Sequence, residues 1–299
     1  MRRLFTGCGT ALVTPFKRDG SLDEAGVTRL ARRQIQAGIH FLVPCGTTGE
    51  VPTLTDEEQV RIVELIVAEA KGRVPVLAGA GGYNTHEVIE SGRRMKAAGA
   101  DGLLSVTPYY NKPSPEGLYQ HYKAIADAVG LPIIVYNVPG RTGCNVDPAT
   151  LVRLTSIPQV VGVKEASGNM TQMAEICGSV PENFIVLSGD DALTLPLMAI
   201  GGRGIISVAS NEIPAEMSRM VELAEAGDFA GARALHKRLL PLLMVNFIES
   251  NPIPVKSAMA SLGLLEEVYR LPMVAPRPAS KQKIEAVLHA VGVTGGVTA

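Results

Sequence analysis

Eight short apolar runs recur along the chain, at residues 11–16, 39–44, 74–78, 102–106, 132–136, 160–164, 184–187 and 204–208. Their starting points lie roughly 20 to 35 residues apart, the length of a strand plus a crossover helix. The runs show little polar alternation and are rich in Val and Ile, so they predict strands buried on both faces. Between them, residues 23–37, 55–70, 85–98, 115–128 and 169–177 carry helical periodicity, and Thr55 with Glu58 forms a capping-box pattern at the start of one.

Strand–helix alternation repeated eight times predicts a (β/α)8 TIM barrel of the α/β class. A doubly wound open sheet is the competing architecture, and it would place a glycine fingerprint after the first strand. That position holds Val13-Thr14-Pro15-Phe16, and neither Gly79-Ala80-Gly81-Gly82 nor Gly201-Gly202-Arg203-Gly204 completes G-x-G-x-x-G. Beyond about residue 212 only helical segments follow, at 214–226, 229–248, 254–262 and 280–291. The expected organisation is a barrel catalytic domain over residues 1–224 and a small C-terminal helical region over 225–299, the latter completing the core and contributing subunit contacts.

Composition narrows the function. Among the 299 residues 46% are hydrophobic and 19% charged, and the formal net charge is −1, so a nucleic-acid partner has no electrostatic support. Cys8, Cys45, Cys144 and Cys177 lie far apart with no C-x-x-C pair, which suits reduced thiols in the cytoplasm. Cys45 reads as a small buried hydrophobe rather than a nucleophile. Arg2 and Arg3 precede a short apolar stretch, but Thr6, Gly7, Gly9, Thr10 and Thr14 interrupt it, so no secretory signal is expected. No run approaches the ~18 apolar residues that would cross a bilayer, and a soluble, cytoplasmic protein is expected. The five histidines show no metal-ligand spacing and no P-loop is present, so neither a metal nor an organic cofactor is expected.

In such a barrel the chemistry collects at the C-terminal ends of the strands. Those ends carry Gly46-Thr47-Thr48-Gly49-Glu50, Thr107-Pro108-Tyr109-Tyr110-Asn111, Tyr136-Asn137-Val138-Pro139-Gly140-Arg141, Lys164-Glu165, Ser188-Gly189-Asp190-Asp191 and Ile206-Ser207. Lys164 ends a run of β-branched residues. Burial there would favour a neutral, nucleophilic amine able to form a Schiff base with a carbonyl substrate; the alternative is a structural lysine paired with a carboxylate such as Glu165. Tyrosine and threonine hydroxyls at neighbouring mouths suit a proton relay, or else aromatic packing with a bonded tip. Arg141 either clamps a substrate carboxylate or is an exposed loop arginine. Asp190 and Asp191 read as loop-capping or ion-pairing groups.

With these residues assembled, the chain resembles the dihydrodipicolinate synthase family of pyruvate-using class I aldolases, to which N-acetylneuraminate lyase is related. The motifs Gly46–Glu50, Tyr109-Tyr110-Asn111-Lys112-Pro113, Tyr136 through Thr142, Lys164-Glu165-Ala166, Ser188 through Asp191 and Asn251-Pro252-Ile253-Pro254-Val255-Lys256 all match. The resemblance implies condensation of pyruvate with L-aspartate 4-semialdehyde in the diaminopimelate and lysine pathway, with Lys164 as Schiff-base nucleophile. It implies Tyr136, Thr47 and Tyr110 as the proton relay, with Tyr110 contributed across a tight dimer interface. Thr48 would bind the pyruvate carboxylate and Arg141 that of the semialdehyde, while Gly189 and Ile206 offer backbone carbonyls. A homotetramer built as a dimer of dimers is implied as well. The alternative within the superfamily is an aldolase or dehydratase acting on a sugar-derived 2-keto acid, which would not need Arg141. One departure from the family concerns feedback: the positions matching the lysine-inhibited pattern hold Val51, Pro52, Asp56, Gln59 and Tyr83, and only Glu87 and Tyr109 fit. Weak or absent lysine inhibition is therefore expected.

Overall fold

The computed structural model describes residues 4–294, so Arg2 and Arg3 and the last five positions of the C-terminal region lie outside the described residues. Eight strands, β1 (Gly7–Ala11), β2 (Phe41–Val43), β3 (Leu77–Gly79), β4 (Gly102–Val106), β5 (Ile133–Asn137), β6 (Val160–Glu165), β7 (Ile185–Ser188) and β8 (Gly204–Ser207), form one parallel sheet. Its order is β2-β1-β8-β7-β6-β5-β4-β3, and a bridge between Leu42 and Val76 joins the two ends into a closed barrel. Helices alternate with the strands: α1 (Glu24–Gln36), α2 (Asp56–Ala70), α3 (Thr85–Ala97), α4 (Pro115–Val129), α5 (Pro139–Thr142), α6 (Pro148–Leu154), α7 (Met170–Ser179), α8 (Thr194–Ala199) and α9 (Pro214–Glu225). After them come α10 (Phe229–Val245), α11 (Ile253–Ser261) and α12 (Pro278–Ala290). No helix among the described residues is long and apolar enough to cross a membrane.

Local chemistry sets the helix starts. At α2 the Thr55 hydroxyl accepts from the Glu58 N–H at 3.2 Å while the Glu58 carboxylate accepts from the Thr55 N–H at 3.0 Å, the reciprocal cap expected from the sequence. Asp23, Asn84, Ser114, Asp147 and Asn169 cap α1, α3, α4, α6 and α7 without the reciprocal bond, each through one side-chain acceptor. The short α5, α6 and α8 escape a periodicity reading because none completes two full turns.

The first strand departs from expectation: it occupies residues 7–11, not 11–16. Its sequence, Gly-Cys-Gly-Thr-Ala, lacks bulk because a Cβ on Gly9 would collide with the ring of Phe41 on β2. Residues 12–16 leave the sheet to build the barrel mouth, where Pro15 has no N–H for a ladder and the Thr14 hydroxyl donates to the Gly49 carbonyl at 2.7 Å.

Two apolar layers make up the core. One fills the barrel with Phe5, Phe41, Leu77, Leu104, Ile134, Ile185, Leu187 and Ile206, and Tyr136 lies at its edge. The other lies between strands and helices and carries the opposite parity of the same strands, for example Val135 and Val163. Helix α9 packs on β1 and β8, and α10 and α12 pack on each other while α11 packs on α12.

Candidate active site

Lys164 and Tyr136 sit side by side at the ends of β6 and β5, as directly registered partners. The chain buries Lys164 to 5% exposure with its Nζ 4.2 Å from the centroid of the Tyr136 ring. Among the described residues no carboxylate or carbonyl pairs with that amine. Glu165 does not supply the ion pair: the next residue along a strand faces the other way, and its carboxylate accepts from Ser167 N–H at 2.7 Å and Asn137 Nδ2 at 2.9 Å instead. The aromatic face holds the amine in place without tying it to a fixed partner, and in its neutral form its lone pair is free to bond to an incoming carbonyl carbon. Gly189, at the end of β7, makes room for it: a Cβ there would lie 3.1 Å from Lys164 Cε and collide with Ala166. Ile206 is buried at the end of β8.

The loop after β2 supplies the second wall. Thr47 lines the same cavity as Tyr136, and Thr48 is buried, its hydroxyl accepting from Asn251 Nδ2 at 3.0 Å. The Asn251 carbonyl in turn accepts from Arg141 Nη2 at 3.2 Å, so one asparagine ties Thr48 to the otherwise exposed Arg141. Asn251 received no role from the sequence, which separates it from Thr48 by 203 positions. Its only signal there is the Asn-Pro-Ile-Pro motif.

Other candidates resolve individually. Asp191 is fully buried and accepts from the Ser207 hydroxyl at 2.5 Å and from the N–H groups of Val208 and Ala209 at 3.0 and 3.2 Å. Burial pushes its carboxyl up to about 6 against those hydrogen bonds. Asp190 caps Ala192 N–H at 2.9 Å, so both aspartates have loop-capping roles, and among the described residues neither forms an ion pair. Cys45 is buried, which pushes its thiol up to about 12 and leaves it inert. Tyr110 is not assembled with the others: it is 91% exposed, with a left-handed backbone at φ 70°, while its neighbour Tyr109 packs edge-on against Tyr83 at 5.1 Å. No hydrogen bond among the described residues joins Thr47 to Tyr136 or Tyr110. A cavity of about 600 Å³ reaches from Tyr136 and Thr47 outward past Val51, Gln59, Tyr83 and Glu87.

This geometry has close counterparts. The family model described as the Dihydrodipicolinate synthetase family matches residues 4–291. The 4-hydroxy-tetrahydrodipicolinate synthase of Koribacter versatilis is 53% identical over 293 residues, covering 98% of either chain. That of Chlorobium chlorochromatii is 52% identical over 289 residues, covering 96% of this chain and 98% of its own. Among solved structures, dihydrodipicolinate synthase from Aquifex aeolicus superposes with a TM-score of 0.94 at 44% identity, covering 97% of this chain and 99% of that one. The chloride-inhibited enzyme from Acinetobacter baumannii complexed with pyruvate superposes with a TM-score of 0.95 at 41% identity, over 96% of this chain and 99% of that one. Barrel, strand-end motifs and sequence agree over nearly the whole length: the chain belongs to the dihydrodipicolinate synthetase family.

Proposed function

We propose that this chain condenses pyruvate with L-aspartate 4-semialdehyde to give 4-hydroxy-tetrahydrodipicolinate, a step toward diaminopimelate and lysine. The observation that carries the reading is Lys164, buried on the Tyr136 ring with no carboxylate or carbonyl partner among the described residues. Lys164 Nζ adds to the keto carbon of pyruvate, and loss of water leaves an imine. A methyl proton departs to give the enamine, whose carbon attacks the aldehyde of the semialdehyde. The amino group of that substrate then adds to the imine carbon, closes the ring and releases Lys164. Tyr136 carries protons to and from the imine centre, with Thr47 and a Tyr110 from a neighbouring subunit completing the relay. The outward projection of Tyr110 supports that last assignment. Thr48 holds the pyruvate carboxylate, Arg141 that of the semialdehyde, and the carbonyls of Gly189 and Ile206 face the site. The Asn251 bridge between Thr48 and Arg141 favours this substrate pair over a sugar-derived 2-keto acid. The enzyme acts as a homotetramer in the cytoplasm, a compartment that suits its four free cysteines.

Borohydride reduction in the presence of pyruvate, followed by peptide mapping, is expected to place a pyruvyl adduct on Lys164, and a coupled assay is expected to show consumption of the semialdehyde. Folded protein that binds pyruvate and yields no adduct would refute the Schiff base. Lysine feedback is expected to be weak. Val51, Pro52, Asp56, Gln59 and Tyr83 line the outer cavity, and the Asp56 carboxylate, which could have met a ligand's ammonium, is already paired with Arg94 at 3.0 Å. Saturating lysine is expected to change the steady-state rate by less than about twofold, below the roughly fivefold at which allosteric couplings begin. Full inhibition at physiological lysine would overturn this.

A further inference from the structure

Behind the Lys164–Tyr136 pair lies a second pair at the same strand ends. Asn137 is registered with Glu165 as Tyr136 is with Lys164. Alternation along the strands turns Tyr136 and Lys164 into the barrel and Asn137 and Glu165 outward, beneath α7. Both outward residues are fully buried. Asn137 uses every polar atom of its side chain. Its Nδ2 donates to Glu165 Oε2 and to Asn145 Oδ1, each at 2.9 Å, and its Oδ1 accepts from Val146 N–H at 3.0 Å. Gln172 on α7 closes the ring, donating to Asn145 at 3.2 Å and to Glu165 at 3.5 Å while accepting from Asn145 Nδ2 at 2.9 Å.

The register these groups hold is not set by the strands alone. Ile133 pairs with Val160 but Ile134 pairs with Gly162, so Val161 is an extra residue and β6 shifts by one position relative to β5. Above such an irregularity a further slip of one residue would turn every side chain to the opposite face. Glu165 would then enter the barrel beside Tyr136, and Lys164 would face the apolar layer under the helices. The hydrogen bonds of Asn137 and Glu165 can be made only in the observed register, and losing them would strand buried polar groups.

We propose that Asn137 and Glu165 are positioning residues for the imine-forming pair: their bond behind the strand ends fixes where Lys164 meets Tyr136. The proposal rests on Lys164 being the Schiff-base nucleophile. A displacement of about 1 Å is enough to slow a positioned reaction by roughly 10²-fold.

The test is stopped-time borohydride trapping at saturating pyruvate on the wild-type chain, Asn137→Ala, the milder Glu165→Gln and the double variant. Asn137→Ala is expected to slow imine formation about 10- to 100-fold and Glu165→Gln about tenfold, with half-saturating pyruvate within about twofold of wild type. The double variant is expected to be no slower than Asn137→Ala, because both changes break one interaction. Total trappable Lys164 after long incubation should equal that of wild type, which separates a misplaced amine from a lower fraction of folded protein. Folded single variants that form imine at the wild-type rate overturn the positioning role, as does a defect confined to half-saturating pyruvate. Wild-type protein that traps no pyruvate overturns the Schiff-base reading itself, and this inference with it.

Discussion

Lys164→Met is expected to lose about 10⁴-fold or more in kcat/KM for the condensation, roughly 5–6 kcal/mol of transition-state stabilisation, with no fall in its thermal midpoint. The loss follows because no neighbouring amine can replace it: the other buried lysine, Lys256, is committed to Glu50. Lys164→Arg should be equally inactive, since a guanidinium keeps the charge but is not a nucleophile at neutral pH. The stability half of the expectation follows from the absence of a partner. An amine in a residue only 5% exposed gives up part of its hydration, and the aromatic face of Tyr136 offsets part of that loss. Methionine fills a similar volume without that cost. A functional site that stores instability in this way should gain or hold melting temperature when its nucleophile is removed. Calorimetry and the coupled assay on the same preparation check both halves. Retained activity would sink the nucleophile assignment, and a midpoint lowered by several degrees would mean that Lys164 has a structural partner.

The barrel was legible because its cause is repeated: buried parallel strands need apolar residues on both faces, and most of them are followed by an amphipathic helix. Strands β4 and β8 begin where the apolar runs begin, and β5, β6 and β7 fall within a residue of theirs. Strand β1 was misplaced because packing against Phe41 demands glycine, and small residues carry no hydrophobic signature. Lys164, Tyr136 and Thr48 were legible as strand-end chemistry. What joins them was not. Asn251, Asn137 and Glu165 act through neighbours that the fold supplies, at separations of 203 and 28 positions, and no local pattern records which face or which loop they meet. Tyr110 shows the converse: the motif singles out a residue that the single chain leaves 91% exposed, outside the group that Lys164, Tyr136 and Thr47 form.

The second large effect belongs to Lys256, and its sign on stability is opposite to that of Lys164. Glu50 closes the loop that carries Thr47 and Thr48, in a left-handed conformation at φ 54° that a non-glycine residue adopts only when its surroundings hold it there. What holds it is buried charge. Lys256 Nζ donates to Glu50 Oε1 at 2.5 Å and to the Val268 carbonyl at 2.6 Å, with neither side chain of the ion pair exposed by more than 1%. Arg270 N–H reaches Glu50 Oε2 at 3.3 Å, its guanidinium forks onto Glu58 at 2.6 Å, and both cations lie over the Phe16 ring. Burial pulls the Lys256 ammonium below the ordinary lysine range, and the Glu50 carboxylate pushes it back. Removing one member of such a pair strands the other charge, at a cost of about 3–5 kcal/mol, whereas removing both is often nearly neutral. Lys256→Met should therefore lower urea-unfolding stability by about that amount. In the fraction that stays folded, half-saturating pyruvate should rise more than kcat falls, because the loosened loop carries Thr48. Glu50→Leu combined with Lys256→Met should recover most of the stability without restoring pyruvate affinity, since the left-handed turn no longer has its anchor. A Lys256→Met chain as stable as wild type would show that the pair contributes nothing to the fold, and a double variant with wild-type pyruvate affinity would detach it from the substrate loop.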